Sequence, residues 1–265
     1  MSLIKTVEEC NLNNRACFVS YVTAGDPDLK SSAKILETLA LNGVDIIELG
    51  IPFSDPISDG PTIQKATERS LKKKVNIDDS LKLIENFRIK YQTPIILFGY
   101  FNPFLQYGLK KVMKSIKKAG GNGVLIVDLP PEEAEETQNA VNEAGIDLVY
   151  LLAPTSTEKR IKMVAKLSNS FIYLVSVTGV TGVRKSLDIN IKKFINKVRR
   201  RTKKPVCVGF GISDPKHVKE LKRLSNGIVI GSAIIKIIED NLGNKLNICK
   251  KIGIFVKKIR KATLY

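Results

Sequence analysis

A chain of 265 residues with 43% apolar residues and no Ser/Gly-rich or Pro-rich linker is long enough for one large core, and it is read as a single domain spanning residues 1–265. A formal net charge of +17 raises nucleic acid as a partner, but the lysines are spread over almost every helical segment and no tryptophan or aromatic interleaving offers a base-stacking platform, so the cations read as solvated helix faces. Four cysteines without C-x-x-C spacing argue against a zinc or disulfide framework, and no apolar run reaches the ~18 to 20 residues of a membrane span.

The N-terminal Met1-Ser-Leu-Ile-Lys-Thr-Val-Glu-Glu carries acids and lacks a long apolar stretch, so the chain is expected to be soluble and to act where it is made. A helix is predicted near residues 4–13, followed by a strand from Cys17 to Thr23. Asp26-Pro27-Asp28 then starts a helix over 29–41 that closes on Gly43. The second strand, Asp45 to Ile51, is followed by two helical patterns, Gln64 to Lys73 and Asp78 to Arg88, one of them an insertion. The third strand, Pro94 to Tyr100, contains Gly99, a small residue expected to loosen packing there. Lysine-rich amphipathic residues 110–118 lead to Gly120 and a fourth strand from Gly123 to Leu129. Pro130-Pro131-Glu132-Glu133 opens a helix to Ala144, capped by Gly145. A fifth strand covers Asp147 to Leu152, and Thr155 to Glu158 opens a helix over 159–167. The remaining strands are Phe171 to Val177, Pro205 to Gly209 and Gly227 to Ile230, with helical patterns at 192–201, 216–224 and 250–261.

Eight β-branched strands alternating with amphipathic helices predict a (β/α)8 TIM barrel, with the extra N-terminal helix closing its bottom and an inserted helix after strand two. A doubly wound open sheet is the rival. The first βα turn has no G-x-G-x-x-G, and the Gly-rich loops cluster after strands six, seven and eight, which favours the barrel.

In a barrel the C-terminal strand ends form the active face. Those positions include Thr23 to Pro27, Glu48 to Asp59, Tyr100 to Pro103 and Asp128 in the first half. Tyr173, Thr178 to Gly182, Gly209 to Gly211 and Gly231-Ser232 belong to the second. Acids dominate the first group and bare backbone the second. Gly182, Gly211 and Gly231 allow N–H groups to approach an anion, Ser232 adds a hydroxyl, and a helix begins after Gly231, which together suit a phosphate. Strand alternation puts Glu48 on a face with Ile46 and Gly50, an apolar setting that raises a carboxyl toward neutral pH. Asp59, in a Ser-Asp-Gly-Pro turn, is expected to be better solvated and ionised. Two carboxyls with separated pKa values suit acid and base roles. Asp55 reads as a turn former, and the only histidine, His217, opens a helix and is expected to face solvent, so no metal is predicted.

Tyr21-Val-Thr-Ala-Gly-Asp-Pro27, the run Glu48 to Gln64, Gly179-Val-Thr-Gly182, Gly209-Phe-Gly-Ile212 and Gly231-Ser-Ala233 resemble, in order, the signature segments of the tryptophan synthase alpha chain family. The resemblance implies a lyase that splits indole-3-glycerol phosphate into indole and glyceraldehyde 3-phosphate by a retro-aldol reaction. It implies that Glu48 is the proton shuttle and that Asp59 hydrogen-bonds the indole N–H. Thr181 would lie in a mobile loop, Tyr173 beside the glutamate, and Gly182, Gly211, Gly231 and Ser232 around the phosphate. Tyr21, Ile63 and Phe210 would line the indole pocket, joined by Phe98 and Tyr100 from strand three. Ser58 and Tyr21 depart from the usual Ala and Phe without removing a catalytic group. No cofactor is implied for this chain; pyridoxal phosphate is implied only for a partner beta chain, in an αββα heterotetramer whose contacts include the loops after strands two and six. A free-standing lyase without a beta chain, and a basic nucleic-acid-binding protein, are the alternatives. The Lys, Asn and Ile excess suggests a plastid stroma, with bacterial cytoplasm the other setting.

Overall fold

The computed structural model describes residues 2–175, 189–209 and 211–265. Eight parallel strands close into a barrel in sequence order: β1 (Cys17–Thr23), β2 (Ile46–Gly50), β3 (Ile95–Gly99), β4 (Gly123–Ile126), β5 (Asp147–Leu152), β6 (Ile172–Val175), β7 (Val206–Gly209) and β8 (Gly227–Ile230). Closure is made by β1 against β8, with Cys17 opposite Gly227 and Ser20 opposite Ile230. Alternate residues of each strand point inward. Cys17, Val19, Ile46, Ile96, Leu125, Val149, Phe171, Cys207 and Val229 form the interior, while their sequence neighbours pack outward against the helices.

The helix α1 (Leu3–Leu12) stoppers the N-terminal end of this interior with Leu3, Val7 and Cys10, as its place in the sequence predicts. Around the outside run α2 (Leu29–Leu41), α3 (Pro61–Leu71), α4 (Ile77–Arg88), α5 (Phe101–Tyr107), α6 (Leu109–Ala119), α7 (Glu135–Ala144), α8 (Glu158–Leu167), α9 (Ile189–Arg199), α10 (Pro215–Leu221), α11 (Ser232–Glu239) and α12 (Lys245–Ala262). Their starts follow local chemistry. The Asp28 carboxylate accepts from Ser31 N at 2.8 Å, and Asn76 and Asp79 form a reciprocal capping box, each such cap stabilising its helix by about 1 kcal/mol. In α6, Leu109, Val112, Met113 and Ile116 are buried while Lys110, Lys111, Lys114, Lys117 and Lys118 face water, the pattern of a solvated basic face.

Three local expectations need correction. The helix predicted from Pro130 to Ala144 is broken at Ala134, with a single 3-10 turn over Pro131–Glu133 before α7; Pro131 holds the residue before it extended, so Pro130 stays outside the helical residues. Helix α5 was not anticipated, since Pro103 falls inside it. Its Phe104 is fully buried, and a Cβ on Gly99 would lie 2.8 Å from that ring, so Gly99 makes room for packing and does not loosen it. Asp128, read as a mouth residue, accepts from Phe101 N at 2.7 Å and holds the start of α5.

Candidate active site

At the C-terminal end of the barrel lies a cavity of about 190 Å³ bounded by residues of seven strands and the loops that follow them. Tyr21, Glu48, Asp59, Ile63, Phe98, Tyr173, Gly211, Gly231 and Ser232, all expected from the sequence, line it. Thr181, Gly182 and Phe210 lie outside the described residues. Tyr100 is expected on this wall but does not line the cavity. It follows β3 as the N-cap of α5, and its hydroxyl accepts from Ser58 N at 3.0 Å and hydrogen-bonds the Asp59 carboxylate, supporting the acid-bearing loop from behind.

Strand pairing places Glu48 at the centre. Its backbone registers with Tyr21 on β1 and Ile96 on β3, and its inward side chain is 1% exposed. Among the described residues Oε1 has no hydrogen-bond partner. Burial therefore pushes the Glu48 carboxyl up to about 8, so that at neutral pH it holds a proton. A buried acid with an unused oxygen facing a cavity is costly to fold unless something in the cavity uses it.

Asp59 sits at the end of the β2–α3 loop, one residue before Gly60, the N-cap of α3. Its N–H donates to Pro56 O at 3.0 Å, and its carbonyl accepts from Gln64 Nε2 at 2.8 Å. The expectation of a well-solvated Asp59 is corrected: the residue is half-buried, and desolvation raises its carboxyl to about 6, opposed by the hydrogen bond from Tyr100. The separation between the two acids survives, because burial alone moves Glu48 and among the described residues its Oε1 has no such hydrogen bond. Asp55 lies outside the cavity, exposed, with Ser54 bonded to its carboxylate and Ile57 N to its carbonyl.

The aromatic walls depend on missing side chains opposite them. Tyr21 meets Phe98 edge to face at 5.1 Å between centroids. A Cβ on Gly50 would lie 2.2 Å from the Tyr21 hydroxyl, and one on Gly209 would lie 2.4 Å from that of Tyr173, so both rings occupy space that only glycine leaves. Burial, then the Glu48 charge, drive the Tyr173 phenol upward, which keeps it a neutral neighbour of the acid. On the far side Gly231 is the N-cap of α11, whose first residue is Ser232, and Gly211 adopts a left-handed φ of +60°. This edge presents backbone N–H groups and a helix N-terminus to the cavity.

Val127, Leu151, Val175 and Val229 also line the cavity and were not singled out in the sequence. The signal was present, since each lies an even number of residues from an inward-facing position of its own strand. Asp26, expected at the mouth, instead forms a two-bond fork with Arg69 of α3 at 2.7 and 2.9 Å. That fork and the Ser70 hydroxyl on Ala24 O tie α3, and with it Ile63, to the end of β1. His217 stays on α10, half-buried and away from the cavity.

A family model described as tryptophan synthase alpha chain matches residues 7–264. The tryptophan synthase alpha chain of Geotalea uraniireducens is 44% identical over 247 residues, 93% of this chain and 92% of the relative. That of Geobacter sulfurreducens is 42% identical over 257 residues, 97% of each. Among solved structures, tryptophan synthase subunit alpha from Legionella pneumophila superposes with a TM-score of 0.92 at 33% identity, covering 99% of this chain and 98% of that one. A chain of Mycobacterium tuberculosis tryptophan synthase gives 0.92 at 30% identity, covering 100% and 99%. These relatives are bacterial, so the plastid expected from composition has no support in them.

Proposed function

The chain belongs to the tryptophan synthase alpha chain family and cleaves indole-3-glycerol phosphate to indole and glyceraldehyde 3-phosphate; from that premise we propose the roles its residues take. Glu48 is the proton shuttle. Neutral at pH 7, it donates to indole C3, and the resulting indolenine carries positive charge at its ring nitrogen. The Asp59 carboxylate accepts the N–H there and stabilises that charge. Glu48, now a carboxylate, takes the proton of the glycerol hydroxyl as the carbon–carbon bond breaks. The bond's electron pair returns to the ring, the aldehyde leaves, and Glu48 is protonated as at the start.

The observation that carries this assignment is a buried Glu48, its Oε1 unpartnered among the described residues, facing the same cavity as Asp59. Tyr21, Phe98 and Ile63 sandwich the indole, Tyr173 flanks the glutamate, and Gly211, Gly231 and Ser232 hold the phosphate, whose binding energy orients the reacting carbon. Thr181, Gly182 and Phe210 are assigned to the same site on the family resemblance. The proton transfers need only these side chains, so no cofactor is assigned to this chain. Incubation of the pure protein with indole-3-glycerol phosphate should release indole; a folded protein that releases none would sink the reading.

A beta chain is the proposed partner, in an αββα assembly that carries the pyridoxal phosphate. Ile57, 84% exposed in the loop after β2, and Leu105 on α5 support a docking surface beside the mouth. A rate gain on adding a beta chain would separate this from a free-standing lyase. Among the described residues no helix is long and apolar enough to cross a membrane. Bacterial cytoplasm is the proposed setting, on the strength of the bacterial relatives.

A further inference from the structure

Along the sequence the cysteines have no metal-ligand spacing, but the barrel brings three of them to its base, at the opposite end from Glu48. Cys17 on β1 and Cys207 on β7 both register with Gly227 on the intervening β8, and both point inward. A Cβ on Gly227 would lie 2.5 Å from Cys207 Sγ and 3.1 Å from Cys17 Cβ, so the absent side chain is the space into which the thiols lean. Cys10 reaches the same place from α1. The Sγ atoms of Cys10 and Cys17 and a carboxylate oxygen of Asp45 lie within 4.8 Å of one another.

We infer that Cys10, Cys17 and Asp45 form a binding site for a thiophilic divalent cation of the zinc and cadmium class. Tetrahedral zinc bonds of about 2.3 Å to sulfur and 2.0 to 2.2 Å to oxygen set ligand atoms roughly 3.5 to 3.8 Å apart, so the three groups need to close by about 1.3 Å at most. Charge balance favours the exchange. Arg15 Nη1 donates to Asp45 Oδ2 at 2.6 Å, a pair without net charge, and the thiols beside it are buried. One divalent ion that displaces two thiol protons leaves the cluster neutral, and a cluster without net charge is the form least penalised by burial. Asp45 is already oriented, since Phe18 N and Arg15 both bond its Oδ2 and neither uses Oδ1. A water completes the fourth position. The partly exposed Arg15 and Asp45 side chains open the cluster to solvent at the barrel's lower rim. An occupied site would join the α1 stopper to β1.

The test is titration of the reduced full chain with Cd2+ alone, followed by the ultraviolet thiolate-to-metal charge-transfer band. The band should saturate at one ion per chain with release of about two protons. Cys10→Ser and Cys17→Ser should each weaken binding by more than the about 10- to 100-fold that loss of an outer-shell partner costs. Cys249→Ser, on α12 away from the cluster, should leave binding unchanged. Indole formation, which depends on the other end of the barrel, checks that each variant is folded. Should a variant not fold, alkylation of the unaltered chain, continued until the buried thiols react through transient opening and read peptide by peptide, should show Cys10 and Cys17 slowed by Cd2+ and Cys249 not. No band at stoichiometric Cd2+, a band that survives Cys17→Ser, or equal alkylation with and without metal overturns the site. A Cys10–Cys17 disulfide formed by a mild disulfide oxidant in a chain whose reduced form binds no Cd2+ overturns it in favour of a redox pair.

Discussion

The two halves of the barrel mouth achieve binding by opposite means. The β1 to β3 side removes water from acids: Glu48 is buried with no partner for Oε1 among the described residues, and Asp59 is held half-buried against Tyr100. The β6 to β8 side removes side chains, leaving Gly209, Gly211 and Gly231 beside the N-terminus of α11. An acid gains reactivity from desolvation because its protonation equilibrium moves, whereas a backbone N–H gains nothing from titration and is useful only if a ligand can approach it. The first side should therefore control the chemical step and its pH dependence, and the second should control affinity.

Several measurements test that division. The largest effect is expected for Glu48→Gln, which should lower kcat for indole formation by about 100- to 10,000-fold, the range of a lost general acid and base, with substrate-analogue binding largely kept. Full activity in this variant would erase the distinction between the sides. Asp59→Asn preserves shape and removes charge, so it should lower kcat by roughly 100-fold with little change in KM. On the other side, Gly231→Ala brings a Cβ to 3.1 Å from Tyr21 Cβ and crowds the phosphate edge. It should raise KM by roughly tenfold, the equivalent of one charge-assisted hydrogen bond, and change kcat less. A kcat loss as large as that of Asp59→Asn would break the comparison.

Stability supplies a test without substrate. The Glu48 carboxyl titrates near 8 in the folded chain, against an ordinary value of 4.5, so between those pH values the folded state keeps a proton that the unfolded state has released. Its contribution to stability is thus complete below pH 4.5 and lost as pH rises toward 8. Relative to the parent chain, Glu48→Gln should be more stable at pH 8, by on the order of a few kcal/mol in denaturant unfolding, and should show no such gain at pH 4. The smallest effect belongs to Tyr100→Phe. The hydroxyl lowers the Asp59 value, so its loss should move the acidic limb of kcat/KM to higher pH, a few-fold loss at pH 6 that disappears by pH 8.

Much of this was legible before folding because it rests on local rules. Strand alternation put Glu48 on the inward face, and caps such as Asp28 and Asp214 placed helix starts to within a residue or two. Tyr100, expected beside Phe98 from strand parity, and Asp128, expected at the mouth from its place at a strand end, both lie outside the cavity lining. In each case hydrogen bonds to a neighbouring segment hold the side chain, the β2–α3 loop for Tyr100 and the start of α5 for Asp128, and nothing in their own segments encodes those partners.

The sequence by itself determined the repeating βα order, the inward parity of Glu48 and the glycine edge, because periodicity and turn chemistry act between residues close in the chain. Only the tertiary structure decided what surrounds each group. It half-buried Asp59 against Tyr100, sent Asp26 to Arg69, and gathered Cys10 and Cys17 beside Asp45 at the base. Desolvation and ligand clustering are properties of three-dimensional neighbourhoods, and closing an eight-stranded barrel makes neighbours of β1 and β8, whose residues are some two hundred positions apart in the chain.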